Sequence, residues 1–202
     1  MKPLFITGID TGIGKTVVSA ILTEKLQADY WKPIQSGDLE SSDTLKVKSL
    51  VSNSKTVFHP EAYRLTQPFS PHKSADLDGI QISLDQINIP DTLNRLIIEG
   101  AGGLLVPLNQ NQYMVDLIKK FDAEVILVVK HYLGSINHTL LSLSLLNSLN
   151  IPVTRIIVNG PNDEYAEKAI RSYSNNIIIN TIAQTDILDN DFIISQGEHI
   201  SI

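Results

Sequence analysis

The stretch Gly8-Ile9-Asp10-Thr11-Gly12-Ile13-Gly14-Lys15-Thr16 constrains this chain more than any other. It follows the apolar run Leu4-Phe5-Ile6 and leads into Val17-Val18-Ser19-Ala20-Ile21-Leu22, so the local order is strand, glycine-rich turn, helix. That order suits a phosphate-binding loop. Glycines admit backbone N–H groups to phosphate oxygens, and the helix turns its positive end to the anion. Gly12, Ile13, Gly14, Lys15, Thr16 and Val17 are the candidate contacts. Lys15 offers a cation to the β- and γ-phosphates, and Thr16 a hydroxyl to Mg²⁺. The five residues between Gly8 and Gly14 are one more than the common form of such a loop carries. Either Gly8 belongs to the strand end or the loop is a longer variant.

The rest of the composition narrows the setting. A chain of 202 residues suits one substantial α/β domain and is short for two. Its 16 basic and 22 acidic residues give a net charge of −6, which weighs against a broad nucleic-acid footprint. Without cysteine there is no disulfide framework, thiolate metal site or cysteine nucleophile. One lysine precedes the first strand, so the N-terminus does not read as a signal peptide. Residues 132–151 lack Asp, Glu, Lys and Arg, yet Ser135, Asn137, His138, Ser142, Asn147 and Asn150 interrupt them. An amphipathic helix fits better than a membrane span. A soluble, cytoplasmic protein that binds neither membrane nor nucleic acid is the expectation.

Periodicity predicts a helix over 17–26, with Val17, Ile21 and Leu22 near one face. Residues 29–34 read as a second strand ending at Pro33, with Gln35-Ser36-Gly37 as a polar turn. Strand carboxyl ends form the ligand crevice of an open parallel sheet, so Lys32 and Ser36 are expected to face the phosphate loop. Residues 39–50 have helical potential, and Ser41, Ser42 and Asp43 are all N-cap candidates, which gives Asp43 a purely local reading too. Pro60, Pro68 and Pro71 make 58–72 irregular, and 83–89 is a short helix or turn.

Residues 93–98, containing Leu96-Ile97-Ile98, read as a buried strand with Glu99 at its tip, followed by Gly100-Ala101-Gly102-Gly103. An acid in that place resembles the second metal-site carboxylate of phosphate-loop enzymes, and glycines allow backbone close to a ligand. The bland alternative is a capping or surface glutamate. Residues 124–130 form the clearest buried strand. The helix from Ser135 has Ile136, Leu140, Leu143 and Leu146 suited to a buried face, and His138 reads as structural rather than catalytic. A strand over 153–158 ends in Asn159-Gly160-Pro161, a helix covers 164–173 and a last strand 177–179. The tail from Ile187 says little. This recurrence predicts an α/β fold, one domain over 1–202, with a mostly parallel sheet and helices on both faces, similar to phosphate-loop NTPases.

Six strings in order carry a resemblance. They are the phosphate loop itself, Trp31-Lys32-Pro33-Ile34-Gln35-Ser36-Gly37, Ser42-Asp43, Pro68-Phe69-Ser70-Pro71-His72, Glu99-Gly100-Ala101-Gly102-Gly103 with Pro107-Leu108, and Leu133-Gly134-Ser135-Ile136-Asn137-His138. No single string decides. Together, from residue 3 to about residue 160, they resemble dethiobiotin synthetases, whose loops share the five-residue gap.

The resemblance implies an ATP-dependent ring closure in biotin synthesis. 7,8-Diaminononanoate takes up CO₂, supplied as bicarbonate, and its carbamate attacks the γ-phosphate of ATP. The second amine then closes the ring and releases phosphate. By similarity Lys32 is the catalytic lysine, acting as an electrostatic clamp with Lys15, and Thr16, Asp43 and Glu99 gather Mg²⁺. Thr11 and Ser36 contact the diamine or carbamate. Ser135, Ile136 and Asn137 hold the substrate carboxylate from a partner subunit, which implies a homodimer. Gly100, Ala101 and Gly102 border the nucleotide, and Asn159 and Gly160 approach the base. Ala183, Gln184 and Thr185 would complete the base pocket, although Asn180-Thr181-Ile182-Ala183 replaces the glycine and proline common there. The rivals are an amide-forming ligase of cofactor synthesis and a nucleotide-switch ATPase. The switch gives no reason for Lys32-Pro33 or Ser70-Pro71-His72.

Overall fold

The computed structural model describes residues 1–174 and 177–201. The expected domain over 1–202 also takes in Asn175, Asn176 and Ile202, which lie outside the described residues. The chain runs β1 (Leu4–Gly8), α1 (Lys15–Leu26), β2 (Asp29–Trp31), β3 (Ile34–Ser36), α2 (Asp43–Leu50), β4 (Phe58–His59), β5 (Tyr63–Leu65) and α3 (Pro71–Leu77). It continues with β6 (Leu96–Gly103), α4 (Met114–Lys120), β7 (Glu124–Val129), α5 (Ser135–Ser148), β8 (Val153–Asn159), α6 (Glu164–Tyr173), β9 (Ile178–Ile182) and α7 (Asn190–His199). Single 3₁₀ turns cover Leu39–Ser41 and Leu84–Gln86.

Seven strands form one sheet in the order β4-β2-β6-β1-β7-β8-β9, and each of its described pairings is parallel. Side-chain alternation divides the core into two layers. Leu4, Ile6, Tyr30, Ile97, Ile126, Val128 and Ile157 face α1, α2 and α7. Phe5, Trp31, Ile98, Val125, Leu127, Val129 and Ile156 face the opposite layer, which holds α3, α4 and α5.

Several boundaries differ from the expected ones, each for a local reason. The strand expected over 29–34 is two strands. Pro33 has no N–H to continue the ladder with β6, and its carbonyl instead accepts from Tyr63 N at 3.0 Å. Ile34–Ser36 then pairs with Tyr63–Leu65 in a separate two-stranded sheet, so Gln35 and Ser36 lie in a strand rather than a turn. β6 does not stop at Glu99 but continues along β1 until Gly8 lies opposite Gly103. In α5 the buried positions are Ser135, Thr139, Leu143 and Leu146, whereas Ile136 is exposed. The uninformative tail contains α7, which packs over α1. Ile193 and Ile200 are buried, and Lys25 Nζ donates to Gly197 O at 2.7 Å.

Candidate active site

The phosphate loop joins β1 to α1 at the carboxyl edge of the sheet. Gly14, the residue before α1, has φ 98°, and no side chain caps the helix. Its first N–H groups therefore stay available to an anion. Gly14 also has no room for a side chain, because a Cβ would lie 1.9 Å from Asn159 Nδ2. That amide donates to Ile13 O at 2.9 Å, tying the end of β8 to the loop. Lys15 Nζ donates to Asp10 O at 2.9 Å. Burial lowers the Lys15 pKa to about 8, with Glu99 pulling the other way and the Lys32 ammonium adding to the fall.

Register brings the remaining charged groups together. Tyr30 pairs with Ile97 and Trp31 with Ile98, so the residues that follow, Lys32 and Glu99, come side by side on the α1 face. Lys32 Nζ forms ion pairs with Asp43 Oδ2 and, at 3.2 Å, with Glu99 Oε1. Thr16 Oγ1 donates to the same Oε1 at 2.9 Å, and Tyr30 donates its hydroxyl to Oε2 at 2.9 Å. Glu99 is 1% exposed, so these three donors replace the water a carboxylate would otherwise hold.

The two partners of the Lys32–Asp43 pair shift in opposite directions. Burial works against the Lys32 charge, but the Glu99 and Asp43 carboxylates outweigh it and raise the ammonium's pKa. Burial also works against the Asp43 charge, and Lys32 overcomes it, leaving that carboxyl below its ordinary value. Ser42, not Asp43, caps α2, accepting from Leu45 N at 3.3 Å. Asp43 at the first helical position is therefore left to face Lys32.

A cavity of about 770 Å³ opens over this cluster. Lys15, Thr16, Lys32, Asp43 and Glu99 form its charged end, and Pro68, Phe69, Pro71, Ala101 and Val106 add apolar wall. Thr11, Gly12, Gly14, Ser36 and Gly102 also line it. Ser36 Oγ is buried with no partner among the described residues, a hydroxyl placed to meet a ligand. Two residues of this region escaped the sequence reading. Tyr30 was legible in principle, since it lies two positions before Lys32 on the same strand face. Gln35 had no such signal: its Oε1 accepts from Asp43 N at 3.3 Å and its Nε2 donates to Gly37 O at 2.9 Å.

Other expected site residues lie outside this cavity. Ser135, Ile136 and Asn137 begin α5, with Ser135 buried and the other two exposed. Ile13 and Val17 turn toward the α1-side core. Gly100 lies close against Phe5, 2.7 Å from where its Cβ would be. Gly160 follows β8, and Ala183, Gln184 and Thr185 form an exposed segment after β9, with Ala183 N donating to Gln196 Oε1 at 2.9 Å.

Comparison with known proteins decides among the enzymes that such a cluster could serve. Residues 2–191 match a family model described as an AAA domain. An ATP-dependent dethiobiotin synthetase of Christiangramia forsetii is 52% identical over 188 residues, covering 93% of this chain and 90% of that one. One from Cytophaga hutchinsonii is 54% identical over 175 residues, with 86% and 84% covered. The chain belongs to the dethiobiotin synthetase family. It is thus an ATP-dependent ligase forming carbon–nitrogen bonds, with a role in biotin biosynthesis.

More distant solved structures agree on the fold. A ParA family ATPase from Chlorobium tepidum superimposes with TM-score 0.60 at 14% identity, covering 99% of this chain and all of the other. The Pyrococcus furiosus cell division ATPase MinD gives 0.61 at 12%, with 98% of each chain covered. At these identities the likeness speaks for the fold alone. No helix among the described residues is long and apolar enough to cross a membrane.

Proposed function

We propose that this dethiobiotin synthetase family member converts 7,8-diaminononanoate, CO₂ and ATP to dethiobiotin, ADP and phosphate through the cluster around Lys32. One observation carries the assignment. A buried ammonium sits between two carboxylates at the edge of an uncapped phosphate-loop helix, in a cavity whose other wall is apolar. Charge at one end and hydrocarbon at the other suit a substrate with a reacting diamine on an aliphatic chain.

In this reading one amine of the substrate captures CO₂ as a carbamate, and a carbamate oxygen attacks the γ-phosphorus as the bond to ADP breaks. The second amine then adds to the carbonyl carbon, and phosphate leaves with the bridging oxygen. The step needs charge neutralisation and alignment more than a base. Lys15 and Lys32 supply fixed positive charge to the phosphoryl and carbamate oxygens, within a region already shielded from water. Thr11 and the unpartnered Ser36 hydroxyl hold the diamine or carbamate end. Gly12, Gly14 and the first turn of α1, including Val17, seat the phosphates, with Ile13, Gly100, Ala101 and Gly102 shaping the loop's surroundings.

Thr16, Asp43 and Glu99 would hold Mg²⁺, since a hydroxyl and two carboxylates are the hard oxygen donors this ion takes. Among the described residues no group of three or more His, Asp or Glu side chains gathers, so ATP oxygens and water complete any such site. Bound there, the ion neutralises charge on the phosphates. Lys32 contacts both carboxylates, and a cation held by them would take over that pairing and leave the ammonium for the carbamate.

Asn159, Gly160, Ala183, Gln184 and Thr185 form the base end. A homodimer is proposed on two grounds. Ser135, Ile136 and Asn137 stand at a helix N-terminus outside this chain's own cavity, and Leu105, Leu133 and Leu141 are exposed apolar side chains on that side. The enzyme is proposed to act in the cytoplasm. Phosphate release from ATP, measured with bicarbonate and diamine each omitted in turn, tests the assignment. Release should need both, and release indifferent to the diamine would sink it.

A further inference from the structure

Between the phosphate loop and the start of α5 lies a polar contact that neither the catalytic cluster nor the cavity uses. The Tyr132 hydroxyl is 2.8 Å from His138 Nδ1 and donates to Asp10 Oδ2 at 3.5 Å. The two rings lie 5.8 Å apart at 51°. Gly134 sits beside the imidazole: its φ of 103° suits glycine, and a Cβ there would come 3.8 Å from His138 Cε1. On the other side, Asp10 Oδ1 accepts from Thr11 N at 2.7 Å, and the Asp10 carbonyl accepts from Lys15 Nζ. Asp10 is otherwise an exposed loop residue. Burial, then the Asp10 carboxylate, raises the Tyr132 pKa, so the hydroxyl keeps the proton it donates.

We infer that Tyr132 and His138 are positioning residues for nucleotide binding, acting through Asp10. The hydroxyl fixes the Asp10 carboxylate, and that carboxylate sets the Thr11 amide. The Asp10 backbone in turn holds Lys15 at the mouth of the phosphate site until phosphate takes its ammonium. A loop held in one arrangement loses less entropy when ATP arrives, so the contact should appear in affinity rather than in the chemical step.

The test is the dissociation constant for ATP, measured directly on the full chain so that it stands apart from the identity of the second substrate. Tyr132→Phe keeps the ring and removes the hydroxyl. It should weaken ATP binding about fivefold, with kcat within about twofold and the melting temperature unmoved. His138→Asn should act in the same direction and less strongly. On an Asp10→Ala background Tyr132→Phe should change affinity by less than about 1.5-fold, because its partner is gone. An equal loss in both backgrounds, or no loss in either, would overturn the inference. Rescue of Tyr132→Phe affinity without Asp10 would overturn it too.

Discussion

The two ends of the proposed nucleotide site are built differently. At the phosphate end, Thr16, Tyr30, Lys32, Asp43 and Glu99 come from two neighbouring strand ends and two helices and hold one another in place, with Lys15 tied to the Asp10 carbonyl beside them. At the base end, Gln184 and Thr185 are exposed, and single bonds hold the segment, such as Ala183 N to Gln196 Oε1 and Thr185 Oγ1 to Ile187 O. Buried charges survive only with every partner present, so the phosphate end tolerates little change. Solvated loop residues have water as an alternative partner. The chemistry is thus overdetermined and the base contact is not.

Substitutions should separate the two ends sharply. Lys32→Gln, close in length but uncharged, should lower kcat by about a hundredfold or more. Circular dichroism should still report a folded chain. A fully active variant would remove Lys32 from the reaction. Glu99→Gln should come next: it leaves Lys32 and Thr16 hydrogen-bonded but removes a charge, so the Mg²⁺ concentration for half-activity should rise about tenfold. Retained Mg²⁺ sensitivity would place the metal elsewhere.

Acidity gives a third contrast. Lys15 is held near pKa 8 in the free enzyme, well below the ordinary 10.5. Its cation attracts phosphate only while protonated, so kcat/KM for ATP should fall as pH rises through about 8. Lys15→Arg should remove that fall, since arginine keeps its proton. The stability sign is the reverse. A depressed lysine burdens the folded state when charged, so this burden fades as pH rises from about 8 toward 10.5. The smallest effect belongs to the base end, where Gln184→Ala should alter the ATP to GTP preference by less than about threefold. A tenfold change would show that end to be as tightly built as the other.

How much of this was legible in the sequence follows the same division. Apolar runs separated by polar turns were enough for the parallel sheet, because a strand buried on both faces has few alternatives. Lys15, Thr16, Lys32 and Glu99 were readable because each ends an apolar strand or opens a helix at the carboxyl edge. Their meeting was expected only in outline, from the carboxyl-edge rule and the family resemblance, whereas the individual contacts depend on Tyr30 lying opposite Ile97, a register that no local pattern encodes. The break at Lys32-Pro33 was missed for a related reason. A proline ends one ladder, but only the distant Tyr63 decides that a new strand begins at once. The helix α7 is short and polar, and its apolar face acquires meaning only against α1.

The account rests on the carbamate oxygen attacking ATP beside Lys32, and oxygen tracing tests this most directly. With ¹⁸O-labelled CO₂ and diamine in a single rapid turnover, the bridging oxygen should leave with phosphorus. The released phosphate should then carry one ¹⁸O atom, visible by mass spectrometry. Unlabelled phosphate, formed while dethiobiotin accumulates, would mean that water or another group attacks ATP and would contradict the account.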